Sequence, residues 1–329
     1  MDVRILDLDG GVAAQPSLKA RASSVVPLRN WGPRLRLACG WRAFARFERD
    51  LDRVIPTRPA LTFLGSGDFH HLSLALLRRL TRPFNLLVID NHPDWMRGVP
   101  VLHCGTWLYH AARLPAVRRV FHVGGDVDFD NAYRWLAPWS MLRSGQITVL
   151  SAVRMFRGRG WARVPHARLR PISTQPVAPS RIVGLVASWR EELASLPLYI
   201  TLDRDVLRAQ EAAVNWDSGH LVTEEVLTLL DAFVSFSGGV VGADVVGDWS
   251  PVRVQGSLRR VLHAVEHPRL EVGAEEAQRR NERLNLALVE MLAGPTKSDL
   301  AKDADQHPED AGVGVGIDDD RLHRPVARL

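Results

Sequence analysis

The chain has 329 residues, of which 46% are hydrophobic and 24% charged, enough for one large core or two modest ones. No apolar run approaches the ~20 residues that span a bilayer, and the first stretch, MDVRILDLDGG, carries acids where a secretory signal is apolar. The formal net charge is +5, but only Lys19, Lys297 and Lys302 are lysines; the basic charge is scattered arginine, read as the coding preference of a GC-rich genome rather than a nucleic-acid-binding face.

Cys39 and Cys104 are the only cysteines, so there is no disulfide framework to read and a reducing cytoplasm is expected. In chain order, ILDLD (5–9) predicts a strand and Arg36 to Val54 an amphipathic helix. ALTFLGSGD (60–68) predicts a strand running into a glycine-rich turn, with a helix over HHLSLALLRRL (70–80). Buried strands follow at NLLVID (85–90), VRRVFHVGG (118–125) and QITVLSA (146–152). The Arg- and Pro-rich segment 153–182 reads as an irregular excursion. LPLYITLD (196–203) is a strand, TEEVLTLLDAFVSF (223–236) a helix and VVGADVV (240–246) a strand, with further helices near 254–266 and 274–293. Alternation of this kind predicts an α/β domain over 1–293, with a mainly parallel sheet covered on both faces. Residues 294–329 are polar, acidic and glycine-containing, and are expected to form a disordered tail.

Acids and imidazoles gather at three predicted strand ends, where open α/β sheets place their ligand sites. VIDNHPDW offers Asp90, His92 and Asp94 at alternate positions, which in extended backbone share one face. YITLDRD repeats the spacing with Asp203 and Asp205, and GSGDFHH brings His70 and His71 to a turn. A single Asp after a strand is often only a helix cap, and a His pair after a glycine turn is often packing. The D-x-H-x-D string is different, because burying two acids and a histidine at one strand end is costly without a cation. Carboxylates mixed with imidazoles suit Mn²⁺ or another divalent first-row ion, and the set suffices for two ions per chain.

These motifs resemble those of the arginase, agmatinase and formiminoglutamase family of ureohydrolases, which carries a G-G-D-H turn, a D-A-H-x-D strand end and an S-x-D-x-D strand end in this order. Here they stand as GSGDFHH (65–71), DNHPD (90–94) and TLDRD (201–205), and the similarity spans about residues 60–250. The resemblance implies a three-layer αβα arginase-like fold. It also implies a binuclear manganese centre held by Asp90, His92, Asp94, Asp203, Asp205 and either His70 or His71. The metal-bridging hydroxide would hydrolyse a non-peptide C–N bond of a small nitrogen-containing substrate. VLHCGT (101–106) is similar to the family's His-Gly segment and implies His103 as a proton shuttle. HVGGDVDFD (122–130) implies Asp126 and Asp128 as holders of a cationic substrate group, Asp126 within the catalytic set. Members of the family are commonly oligomers, so a homo-oligomer is expected.

The chain also departs from the pattern. GADVVGDWSP (242–251) is similar to the late D-x-x-E-x-N-P strand end, but the guanidinium-gripping glutamate corresponds to Gly247, with Asp248 beside it as the substrate-binding substitute. Phe69 is inserted in the first motif, Cys104 sits within the His-Gly pair, and Arg204 stands between the late aspartates, turned away from the metals if the backbone alternates. Trp95 and Trp107 either narrow the pocket or pack the core. Two alternatives stand beside the ureohydrolase reading: an arginase-fold deacetylase of acylated amines using one Zn²⁺, and a non-catalytic metal-binding member of the fold.

Overall fold

The computed structural model describes residues 1–125, 132–150, 178–253 and 273–294. The acidic segment 295–329, the helix expected near 254–266, and Asp126 and Asp128 lie outside the described residues.

Among the described residues, eight strands form one parallel sheet: β1 (Asp2–Asp7), β2 (Ser24–Pro27), β4 (Ala60–Gly65), β5 (Phe84–Asp90), β7 (Val117–Gly124), β8 (Ile147–Leu150), β9 (Leu198–Asp203) and β10 (Val240–Val246). Their order is β2-β1-β4-β10-β9-β5-β7-β8. A separate antiparallel pair joins β3 (Ala38–Cys39) to β6 (Leu102–His103). The central strands are apolar throughout, as a sheet buried on both faces requires. Odd and even positions feed different cores. Leu86 and Val88 pack with the helix Trp41–Val54 and with Trp95 and Trp107 on one face. Leu87 and Ile89 pack with the helices Pro179–Ala187, Thr223–Phe236 and Ala274–Ala293 on the other. The helix–sheet–helix layering follows from that division.

Two expectations change. The helix over 36–54 begins only at Trp41, with Gly40 extended at its N-cap. Leu37 ahead of it has φ 66, a left-handed conformation that no helix tolerates, and Ala38–Cys39 pairs with β6 instead. Of the excursion expected over 153–182, residues 153–177 lie outside the described residues, and Pro179 at the first helical turn starts a helix through Ala187.

One polar row crosses the first face of the sheet. Register places Arg4 beside Thr62, Thr62 beside Asp244, Asp244 beside Thr201, Thr201 beside Val88 and Val88 beside His122. One row further along, Asp203 and Asp90 end their strands. Arg4, Thr62, Asp244, Thr201 and His122 therefore share one row on that face of the sheet.

Candidate metal centre

The two aspartate motifs are built alike. Asp90 closes β5 and accepts the amide N–H of His92 at 2.7 Å; Asp203 closes β9 and accepts the amide of Asp205 at 3.0 Å. Each strand-end aspartate thus forms a tight turn on its own chain, throwing the residue two places on over the sheet edge. This replaces the strand alternation expected from sequence, since neither 91–94 nor 204–206 is extended strand. The turns are tied together by Asp205, which accepts Asn91 N–H at 3.1 Å and lies 2.8 Å from His92 Nδ1.

Asp94 converges by another route. Its φ is 53, a left-handed conformation that Asp tolerates better than most residues. Its main-chain carbonyl accepts Leu108 N–H at 2.9 Å and its Oδ2 accepts Trp107 Nε1–H at 2.7 Å. Trp107, fully buried, also lies against His70 at 4.6 Å between ring centroids. The packing reading therefore holds for Trp107 and Trp95, and Trp107 additionally orients a carboxylate.

His70 comes from the turn after β4, a 3-10 segment Gly67–Leu72 capped by Ser66. Its Nδ1 stands 3.1 Å from Asp90 Oδ2, 3.1 Å from Asp94 Oδ2 and 3.6 Å from Asp203 Oδ2. His71, equally buried, belongs to neither of the two ligand groups formed by the described residues. Glycines let the turn close on Asp203. A Cβ at Gly67 would sit 2.7 Å from Asp203 Oδ2, and one at Gly247 2.4 Å from Oδ1. With φ at 93, Gly247 also excludes a side chain conformationally, so no glutamate fits there without displacing Asp203.

The result is two overlapping trios, His70–Asp90–Asp203 and Asp90–His92–Asp205, each with its donor atoms within 4.8 Å of one another. Asp90 belongs to both. Four carboxylates converge with two imidazoles, a charge that two divalent cations balance. The polar atoms fit such ions: His70 Nδ1 and Asp90 Oδ2 are buried and face one another, yet neither makes a hydrogen bond. Unpaired buried polar atoms are rare, and here they surround a common point.

His70 is oriented from behind. Thr201 Oγ1 donates to Asp244 Oδ1 at 2.8 Å, so at 2.9 Å it receives the Nε2–H of His70 and leaves Nδ1 facing the carboxylates. Asp244 is fixed by Ser73 Oγ and Tyr199 OH, both at 2.8 Å. Such outer partners are worth about 10–100-fold in metal affinity. Thr201→Val is expected to weaken metal binding by that factor with little loss of folded stability, measured by calorimetric titration; unchanged affinity would contradict the relay.

Without metal the centre is electrostatically strained. Burial, then the charges of neighbouring carboxylates, raise the pKa values of Asp90, Asp203 and Asp205. Burial opposes charge on His70 and His92, but the adjacent carboxylates outweigh it and lift both well above the ordinary imidazole value. Both effects have one sign. A raised folded pKa stabilises below the unfolded value and loses that stabilisation as pH rises through the folded one. The melting temperature of metal-free protein is therefore expected to fall as pH rises above 6.5, the ordinary imidazole value. Metal-loaded protein should lose less, because binding replaces those protons. A metal-free melting temperature that climbs over this range would contradict the assignment.

Two expected site residues lie differently. Asp248 does not face the trios; its carboxylate is buried against Arg204, with Nη1–Oδ1 at 3.1 Å and Nη2–Oδ2 at 2.9 Å, and accepts Gln15 Nε2 at 2.7 Å. A carboxylate so engaged is unavailable to substrate, which corrects the substrate-binding expectation. Arg204 does turn away from the trios, carried by a 3-10 turn rather than by alternation. His103 is half-buried on β6, where its Nδ1 accepts Gly105 N–H at 2.9 Å, so its neutral ring carries the proton on Nε2. Its segment is clasped to the Asp94 loop by Met96 N–H on Gly105 O at 3.0 Å.

Sequence reasoning did not single out Thr201, Asp244, Ser73, Tyr199 or Trp216. Trp216 lies 5.7 Å from the His92 ring between centroids and donates to Asp68 Oδ1 at 3.1 Å. Asp68 in turn holds buried Arg36 at 2.6 Å. The available signal was a polar residue inside an apolar strand, as in YITLD and VVGADVV.

No protein-family model matches the chain. An uncharacterized protein of Thermotoga maritima is 24% identical over 250 residues, covering 76% of this chain and 81% of its own. Among solved structures, an arginase from Bacillus subtilis superposes with a TM-score of 0.52 at 13% identity, over 90% of this chain and 99% of that one. The arginase from Bacillus caldovelox gives 0.50 at 16% identity over the same shares. The chain therefore has the arginase fold, as a divergent example of it. No helix among the described residues is long and apolar enough to cross a membrane.

Proposed function

We propose that the chain is a metal-dependent hydrolase of the ureohydrolase type, cleaving a C–N bond in a guanidinium, amidine or amide. The observation that carries this reading is the pair of ligand trios sharing Asp90 at the C-terminal edge of the sheet. His70, Asp90, Asp94 and Asp203 would hold one ion, and Asp90, His92 and Asp205 the other, with manganese as the expected metal. Such a pair, when bound, supplies an activated water and stabilises developing negative charge.

The chain's own groups do the rest. His103, with its proton on Nε2, delivers it to the departing amine. Asp126 and Asp128, which follow β7 in sequence, hold a cationic group of the substrate. Gly247 leaves no carboxylate where the family resemblance places its guanidinium-gripping glutamate, so the substrate differs from arginine at that end.

The compact Asp90–His92–Asp205 trio alone would serve a one-zinc deacetylase, the second reading. The additional ring of Asp94, Asp203 and His70 favours two ions. The test is turnover by manganese-loaded protein of a panel of guanidines, amidines and acylated amines, followed by release of urea, ammonia or amine. Guanidine or amidine hydrolysis that disappears in Asp90→Ala is the expected result. Turnover of acylated amines with one zinc per chain would favour the second reading. Inactivity of metal-replete protein across the panel would overturn both in favour of a non-catalytic protein.

A further inference from the structure

At the opposite, N-terminal end of the sheet lies a cleft with a cavity volume of about 40 Å³. Arg4, Thr62, Thr57, Arg58, Arg79 and Tyr199 border it. Arg4 is only 4% exposed and Thr62 only 2%. They are register partners on β1 and β4, so their side chains enter the cleft from one face of the sheet.

The charges around the cleft are unevenly matched. Arg58 pairs with Asp2. Arg79 pairs with Asp52 and donates to Ile55 O at 2.9 Å. Tyr199 OH is committed to Asp244. Among the described residues, the Arg4 guanidinium makes no hydrogen bond or ion pair within 4 Å, and the Thr62 hydroxyl makes no hydrogen bond. The guanidinium has five N–H donors and no acceptor, and with no protein acceptor engaged its donors are free to meet a ligand in the cleft. Burial chiefly depresses the affinity of Arg4 for its proton; Asp2 opposes this, and Arg79 and Arg58 add to it.

We propose that this cleft is a binding site for a small oxyanion, a phosphate or carboxylate group, received by the Arg4 guanidinium and the Thr62 hydroxyl with Arg58 at the mouth. The planar guanidinium fork matches two oxygens of either group, and the hydroxyl supplies a third donor. Tyr199, which borders the cleft, holds the Asp244 that backs His70, but none of the proposed contacts is a metal ligand, so the site stands or falls independently of the hydrolase reading.

The experiment is a thermal melt of the full chain with inorganic phosphate and, separately, acetate, against chloride at matched ionic strength. One of the two oxyanions is expected to raise the melting temperature by about 3–8 °C at a hundredfold excess over its Kd. The shift should vanish in Arg4→Gln, weaken in Thr62→Val, and persist in the exposed-surface control Arg42→Gln. It should also persist in Asp90→Ala, which separates this cleft from anion capture at the metal centre. The arm that responds distinguishes a phosphate ligand from a carboxylate. No shift beyond chloride with either anion, or an undiminished shift in Arg4→Gln, would overturn the proposal. Should Arg4→Gln fail to fold, an undiminished shift in both Thr62→Val and Arg58→Gln would overturn it instead.

Discussion

Asp90→Ala is expected to lose both metal ions together, whereas His70→Ala and His92→Ala each lose one preferentially. Asp90 is the one residue present in both trios. Removing an outer partner of a metal ligand already costs about 10–100-fold in affinity, so loss of a shared ligand should exceed 100-fold at each ion. The folded protein should survive the change. Asp90 is buried among carboxylates that raise its pKa, and deleting one relieves repulsion in the metal-free state. Metal content by elemental analysis, with melts of metal-free samples, reads both effects. A variant that keeps one ion at full affinity would show that Asp90 does not bridge.

The second large effect is on stability. Arg204→Met is expected to cost about 3–5 kcal/mol and to lower the melting temperature by about 6–15 °C. Arg204 is fully buried, bidentate on Asp248, bonded to Asn285 Oδ1 and close to the carbonyls of Asn281 and Val246. This network fastens the ends of β9 and β10 to the helix Ala274–Ala293. Its removal strands the Asp248 carboxylate, whose pKa burial already raises and Arg204 restrains. Adding Asp248→Asn should recover much of the loss, since the stranded charge rather than the missing contact accounts for most of it. Chemical denaturation of the single and double variants measures this; a single variant within 1 kcal/mol of wild type would contradict it.

Much of the framework could be read from the sequence. The apolar runs at 85–90, 196–203 and 240–246 lie almost where β5, β9 and β10 form, because strands buried on both faces carry an unbroken apolar signal. The helix over 223–236 begins and ends as its pattern indicated. β2 was not legible: it is an edge strand of four residues, three of them exposed, ending in proline. The turn carrying His70 looked helical over 70–80, but folds as a 3-10 segment followed by the short helix Ser73–Leu77.

At the site, the residue types and spacings named side chains that the fold brings together, but the mechanism of convergence did not follow from them. His92 and Asp205 arrive through side-chain-capped turns and Asp94 through a left-handed residue, none of which strand periodicity encodes. Whether His70 or His71 enters the cluster depends on the handedness of a tight turn. Asp248 looked like a substitute for a missing glutamate because it adjoins Gly247. Its partner Arg204 lies 44 residues earlier in sequence, and only the fold brings them together.

Metal stoichiometry decides whether the centre is binuclear. Purified wild-type chain, stripped by chelator and titrated with Mn²⁺, should bind two ions per chain by calorimetry and elemental analysis. One ion, or none after reconstitution, would contradict the account.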